Sequence, residues 1–219
     1  RIALQGLLTN GFGATPATGI LTLPSDNRIG YSANFVFTAD APDTPQAPLT
    51  ERQKSLSLGG LTVNTALVPP DTTSVAKTSA DSKGNFDTMY GISISNIFQL
   101  NFYRSQHDNI PQDTTQARAY ANDGAVNLRG SGQAVLTSPL RGAPIWSALR
   151  ISLGRNMDTT NNTAQGYLFA ETPLTWEANS KIAINLTPKV AWAGVGDLWG
   201  LGMSANIQLA PKWELVPEA

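Results

Sequence analysis

Residues 181–192, KIAINLTPKVAW, and residues 198–209, LWGLGMSANIQL, decide the fold. In the first, Ile182, Ile184, Leu186, Pro188, Val190 and Trp192 alternate with Lys181, Ala183, Asn185, Thr187, Lys189 and Ala191. Past Val195-Gly196-Asp197 the parity flips. Trp199, Leu201, Met203, Ala205, Ile207 and Leu209 now form the apolar row, opposed to Leu198, Gly200, Gly202, Ser204, Asn206 and Gln208. A period of two puts alternate side chains on opposite faces of a strand, so both stretches read as strands with one apolar and one small polar face. At about a dozen residues each they exceed the usual five or six and approach the nine to eleven that cross a bilayer at a tilt.

Working outward, Ile29, Tyr31, Ala33, Phe35 and Phe37 alternate with Arg28, Gly30, Ser32, Asn34, Val36 and Thr38. Met89 to Tyr103 alternates in the same way and fits either one very long strand or a hairpin turning at Ser95-Asn96. Ile145 to Gly154 is a further strand, and Ile2 to Leu8, Lys54 to Leu67, Gln116 to Ala121, Ala125 to Thr137 and Gln165 to Glu177 are weaker ones. The apolar parity changes across Gly59-Gly60, which suggests a β-bulge. Asn10-Gly11, Asn122-Asp123-Gly124 and Asn179-Ser180 signal tight turns, whereas Ala39 to Gln53, Val68 to Asp87, Ser105 to Thr115 and Asn156 to Ala164 read as long loops. Leu186-Thr187-Pro188-Lys189 recurs as Leu209-Ala210-Pro211-Lys212. Proline costs a central strand a ladder hydrogen bond, so both copies could be turns at one rim.

Composition narrows the class. Charged residues make up 14% of the 219, against about 25% in an ordinary soluble domain, and the deficit is filled by small neutral residues. A net charge of −1 gives no electrostatic case for nucleic acid. With no cysteine, disulfides and thiolate metal sites are excluded. No run reaches eighteen apolar residues, which excludes a membrane-spanning helix. The sequence starts at Arg1 without a charged-then-apolar leader, as expected of a processed form or a fragment.

Alternation alone fits a soluble sheet, apolar inside, as well as a membrane barrel with the reverse order. Two features favour the barrel. The polar rows carry Gly, Ser, Asn and Gln and little charge, unlike a water-facing sheet. Trp192 and Trp199 flank one turn, and Trp176 precedes the Asn179-Ser180 turn, all on the apolar parity. Those are the positions of membrane-interface aromatics, whose rings are apolar while the N–H reaches water.

Residues 169–218, FAETPLTWEANSKIAINLTPKVAWAGVGDLWGLGMSANIQLAPKWELVPE, resemble the C-terminal hairpins of bacterial outer-membrane β-barrel proteins, and more loosely uncharacterised cyanobacterial ones. The resemblance covers about fifty residues, carries no catalytic signature, and implies a barrel with a pore, transport or structural role. Such proteins typically finish on a terminal aromatic, whereas this sequence stops at Leu215-Val216-Pro217-Glu218-Ala219. Either a final strand lies outside these residues or the assignment differs.

The expectation is therefore one all-β domain over residues 1–219: an antiparallel up-and-down transmembrane barrel of about ten strands, give or take two, with long loops at one rim and tight turns at the other. It would sit in a bacterial outer membrane among lipid and act without catalysis, as a porin-like channel for small polar solutes. Arg28, Asn34, Arg150, Lys181, Asn185, Lys189, Asn206 and Gln208 are the candidates to line the lumen. The basic ones would set solute preference, unless they are exposed sheet charges. Association into a homo-oligomer or larger assembly is compatible with this reading.

Below about a dozen strands side chains can fill the interior, so a plugged structural barrel is the nearest alternative, followed by a soluble β-sandwich or barrel that binds or builds surfaces. A lipid hydrolase comes last: His107 is the sole histidine and lies in a loop with no nucleophile motif. Gly200 to Ala205 fits a loose dinucleotide fingerprint, but inside a strand that is coincidence. Asp81 to Asp87 and Asp108 to Asp113 lack calcium-loop spacing, and Asn161 and Asn185 open uninformative glycosylation matches. No cofactor or metal is expected.

Overall fold

A computed structural model describes residues 1–9, 28–39, 48–60, 63–82, 84–106, 126–158, 163–193 and 196–219. The strands are β1 (Ile2–Thr9), β2 (Arg28–Thr38), β3 (Thr73–Asp81), β4 (Phe86–Ile94), β5 (Phe98–Gln106), β6 (Val126–Thr137), β7 (Trp146–Asp158), β8 (Thr163–Glu171), β9 (Leu174–Glu177), β10 (Ile182–Ala193), β11 (Gly196–Ala210) and β12 (Trp213–Leu215). One six-residue helix, α1 (Glu51–Leu56), lies between β2 and β3. The strands form a single twelve-stranded antiparallel sheet in which all but β8 and β9 pair with their sequence neighbours. β8 and β9 share the place between β7 and β10. Among the described residues, β1 and β12 each pair on one side only.

The two deciding stretches pair with each other from Ile182↔Ile207 to Ala193↔Gly196, so each apolar row continues across the strand boundary. Pro188 belongs to β10, opposite Leu201, and is not a turn. Its missing N–H falls where the neighbouring strand is interrupted at Thr172-Pro173 between β8 and β9, and its carbonyl accepts from the Thr172 amide at 3.0 Å. Pro211-Lys212, by contrast, is the turn between β11 and β12. Met89 to Tyr103 is a hairpin, turning through a short 3₁₀ segment at Ser95–Ile97 with Ser95 at φ 54°.

Three expectations are corrected, the first being the long loop Asn156 to Ala164, whose ends are paired strand from Asn156↔Gln165 to Asp158↔Thr163. Lys54 to Leu67 is not a bulged strand. Thr50 caps α1 and Gln53 reciprocates in a capping box, after which Gly59, at φ +71°, turns the chain into an irregular run that ends on Pro69-Pro70. Nor is Val68 to Asp87 a loop, because it contains β3. That strand escapes the hydropathy pattern because Ser74, Ala76, Thr78 and Ala80, on one face, are as small as most of its other face. The tight turns at Asn10-Gly11 and Asn122 to Gly124, and the weak strand Gln116 to Ala121, lie outside the described residues.

Burial is inverted relative to an ordinary sheet. The apolar rows face out: Leu4, Ile29, Phe37, Phe102, Leu153, Trp199, Leu201, Met203 and Leu209 are all exposed. The polar rows are covered: Ser32, Asn34, Ser93, Asn101, Asn127, Gln133, Ser152, Asn185, Thr187 and Asn206 are buried. Leu201 is 55% exposed, and Asn185, on the facing strand, 1%. The buried apolar cluster is supplied by the β2–β3 connection, whose Leu49, Leu56, Ala66, Leu67 and Val68 pack on Val135, Trp146, Ala148 and Ala183 of the sheet's polar face.

Twelve strands laid flat would span roughly 50 Å. Yet Glu51 pairs with Arg1, beside β1, at 3.7 Å, while Arg52 pairs with Glu214 of β12 at 4.0 Å. Adjacent Cα atoms sit about 3.8 Å apart, so the sheet is strongly curled around α1.

Gly154 of β7 faces Tyr167 of β8, and a Cβ at Gly154 would run into the tyrosine ring. The buried ring is tied by its hydroxyl, which donates to Asn127 Oδ1 at 2.8 Å. Gly154→Val is expected to cost about 1–3 kcal/mol by overpacking. Gly130→Ala, where a Cβ meets open space, should change stability by less than about 0.5 kcal/mol. Chemical denaturation followed by tryptophan fluorescence measures both.

Candidate functional site

Chain that runs through a buried space outside a sheet must find partners for its own amides and carbonyls. Here the polar face supplies them. Gln133 Nε2 donates to the carbonyls of Thr65 and Leu67 at 3.0 and 3.2 Å. Thr187 Oγ1 donates to the Asn64 carbonyl at 3.1 Å, and Lys77 Nζ to the Gly60 carbonyl at 3.1 Å. The Ala66 amide donates to Thr175 Oγ1 at 2.9 Å, and Thr175 in turn donates to Asn185 Oδ1 at 2.8 Å. Side chains of the segment reach out as well: Gln53 donates to Glu177 at 3.0 Å and Asn64 to Glu171 at 2.8 Å. Arg52 donates to the Asn206 carbonyl at 3.2 Å and, at the long limit of 3.4 Å, to Gln208 Oε1. On α1, Lys54 Nζ donates to exposed Glu51 at 2.7 Å and so holds its carboxyl below the usual range, with the lysine charge adding to the effect.

Beside this segment the polar face gathers charge. Arg150 and Glu171, neighbours in register on β7 and β8, approach to 3.6 Å with both side chains buried. Arg150 also donates to Tyr103 Oη and to Ser131 Oγ. Arg129 stacks on the Tyr103 ring, its guanidinium carbon 4.1 Å from the centroid, a cation–π contact strengthened by desolvation. A cavity of about 60 Å³, counted as space open to the centres of water molecules, lies between Ser57 to Gly60, Asn64, Thr65 and Leu67 and the strands β3 to β7. That is room for a few waters.

Of the residues expected on the polar face, Asn34, Arg150, Asn185, Lys189 and Asn206 are buried there, and Gln208 is half-buried against Arg52. Asn185 donates to both Ser204 Oγ and Asn206 Oδ1 across the β10–β11 pair, at 2.9 and 2.7 Å. Lys181 is exposed in the bend before β10, so it does not line this face. Arg28 belongs to β2, but its side chain, like His107 and Asp108 to Asp113, lies outside the described residues. Trp176, Trp192 and Trp199 are exposed on the apolar face.

The sequence reading missed Lys77, Arg129, Tyr103 and Glu171, which carry the charged cluster, and the whole of segment 48–72. It also missed Trp213, exposed like the other three, and Trp146, which is buried and donates to Glu177 at 2.9 Å. The Thr50-x-x-Gln53 capping box was the legible signal for α1. Asp81 binds back to its own turn through the Asn85 amide and side chain. Among the described residues no three His, Cys, Asp or Glu gather as a metal site, and no helix is long and apolar enough to cross a membrane. Comparison with protein-family models, curated proteins and solved structures finds no match to this chain.

Gln133→Leu strips two buried carbonyls of their donor and is expected to cost about 1–3 kcal/mol. Amide exchange should accelerate in residues 63–68 before it does in β10 and β11, which hydrogen-exchange mass spectrometry resolves. Glu171→Gln leaves Arg150 as a buried charge without its counter-ion, and a loss of about 3–5 kcal/mol in the unfolding free energy is expected.

Proposed function

We propose that this chain forms an outer-membrane β-barrel whose interior is stoppered by its own β2–β3 connection, residues 48–72, making it a restricted channel for small polar solutes. The inverted polarity of the sheet carries this reading, with exposed rows of Leu, Ile, Phe and Trp and buried rows of Ser, Asn, Gln and Arg. A water-soluble sandwich gains its stability from the opposite arrangement, and a surface this apolar demands a partner. Hydrocarbon is the partner that needs no shape complementarity.

The tryptophans support it. Trp192 and Trp199 lie near the β10–β11 connection, whereas Trp176 pairs with Ile184 and Trp213 with Ala210 at the other end of the same strands. From Ile184 to Trp192 is about 27 Å along the strand, close to the roughly 25 Å apolar band that aromatic girdles flank in such barrels once tilt is allowed for. The curl that brings Arg1 and Glu214 to adjacent residues of α1 favours closure of the sheet on itself, which removes the two free edges. A stoppered interior is preferred to an open pore because residues 48–60 and 63–72 lie on the polar face and hydrogen-bond to β6, β8, β9, β10 and β11.

The protein is expected to be monodisperse in detergent, to aggregate without it, and to float with lipid vesicles after reconstitution. Leu201→Arg should destabilise the reconstituted protein by about 2–4 kcal/mol, the cost of a cation on the lipid face near mid-membrane. Full solubility without detergent, with Leu201→Arg neutral, would refute the barrel. Conductance steps in planar bilayers should be small beside those of an open porin.

A further inference from the structure

The two edges of the sheet do not match. From β1 to β12 the path passes through eleven places joined by antiparallel steps, β8 and β9 sharing one, so β1 runs in the same direction as β12 and opposite to β11. Outer-membrane barrels close antiparallel with an even number of strands. Pairing β1 with β11 meets both conditions, at ten strands; pairing β1 with β12 meets neither. Yet the edge of β11 is taken. Beyond a bulge between Gln208 and Ala210, Glu214 to Ala219 lie along it in one register, from Gln208↔Glu214 and Ile207↔Leu215 to Ser204↔Glu218, and Met203 and Ala219 exchange both backbone hydrogen bonds at 2.8 Å.

Residues 213–219 fit that edge imperfectly. The Pro217 carbonyl accepts from the Ala205 amide at 3.1 Å, but proline has no N–H to return. Gly196 to Gly202 have no partner on this side among the described residues. β1 has no such defects. It pairs with β2 residue for residue from Ile2↔Phe35 to Thr9↔Arg28, contains no proline, and turns Ile2, Leu4 and Leu8 to the exposed apolar face, as β11 does Trp199, Leu201 and Met203. The residues that hold β11 also touch the stopper. Glu214 meets Arg52 at 4.0 Å, and the Glu218 carboxylate fills the space that a Cβ on Gly60 would need. From the other side Lys77 Nζ donates to the carbonyl of the same glycine at 3.1 Å.

We infer that residues 213–219 are a removable strap, which holds the β11 edge and pins the stopper until β1 takes its place on β11. The inference rests on the barrel reading and assigns that barrel its closing pair and a gate. Hydrocarbon leaves backbone groups no partner but each other, so a lipid environment favours the strand with the more complete ladder. Departure of the strap takes Glu214 from Arg52 and Glu218 from Gly60. Closing the wall and loosening residues 51–60 are then one event.

With no cysteine in the sequence, engineered disulfides read the pairing directly. Leu4→Cys or Leu8→Cys is combined in turn with Trp199→Cys, Leu201→Cys, Met203→Cys, Ala205→Cys and Ile207→Cys, and the whole chain is oxidised with copper phenanthroline in phosphatidylcholine vesicles. Disulfides should form in antiparallel order, the partner of Leu4→Cys lying nearer Ala210 than the partner of Leu8→Cys. Pro217→Ala, which restores the missing donor to the strap, should slow their formation about fivefold. Amide exchange in residues 51–60 should be faster in the disulfide-locked protein than in the reduced one. Disulfides only to Leu215→Cys and Ala219→Cys, in parallel order, make 213–219 a permanent strand and overturn the exchange, as does the absence of any disulfide. An unchanged rate with Pro217→Ala overturns the competition for β11, and unchanged exchange in 51–60 overturns the pinning of the stopper. Labelling of the single variant Leu201→Cys by a membrane-impermeant maleimide in vesicles would instead overturn the barrel reading, so the two failures are told apart.

Discussion

The constraint on which the structure rests is mutual satisfaction of hydrogen bonds between a polar sheet face and an irregular segment packed against it. Either alone would be costly: a covered row of Asn, Gln, Thr and Arg without partners loses hydration that nothing replaces, and a buried non-ladder backbone does the same. Where they meet, each offsets the other. Gln133 takes two carbonyls, Thr187 and Lys77 one each, and Thr175 an amide. Residues 63–70 can therefore run across the covered polar face without a strand of their own, which Pro69-Pro70 would in any case break.

The outer face follows from the same arrangement. Once the hydrogen-bonding side chains are turned inward, the alternate positions have only hydrocarbon to show. Period-two geometry leaves no third choice. The small apolar cluster around Leu56, Leu67 and Trp146 is thus a local contact between α1, its extension and the wall, and does not serve as the common core around which a soluble domain would be built.

How much of this the sequence discloses depends on contrast between faces. Residues 181–209 are legible because Ile, Leu and Trp stand against Asn, Ser and Gly, and the structure keeps that register throughout. β3 is illegible because Ser74, Ala76 and Thr78 barely differ from Thr73 and Ser79. Segment 48–72 was misread for a different reason. Leu56, Leu58, Leu61 and Val63 mimic a strand with a bulge, and the sequence holds no signal that the polar partners of that backbone, Lys77 apart, lie 66 to 123 residues downstream. The charged cluster was half visible: Arg150 and Lys189 sit on clear alternating strands, whereas Lys77 rides on the hidden one and Tyr103 shares its inward row with Gln99, Asn101 and Ser105. Lys181 illustrates the opposite error, a charge assigned by parity one residue beyond the strand, where parity no longer holds.

Short as it is, α1 joins the extremes of the polypeptide. Glu51 touches Arg1, and Arg52 touches Glu214, so two consecutive residues connect points separated by nearly the full length of the chain. Contacts that span so much sequence bear the largest chain-closure entropy and form late in folding. The helix, by contrast, is closed by a capping box within its own first turn. It would act as a waiting cleat, to which the first and last strands are lashed after the hairpins between them have set.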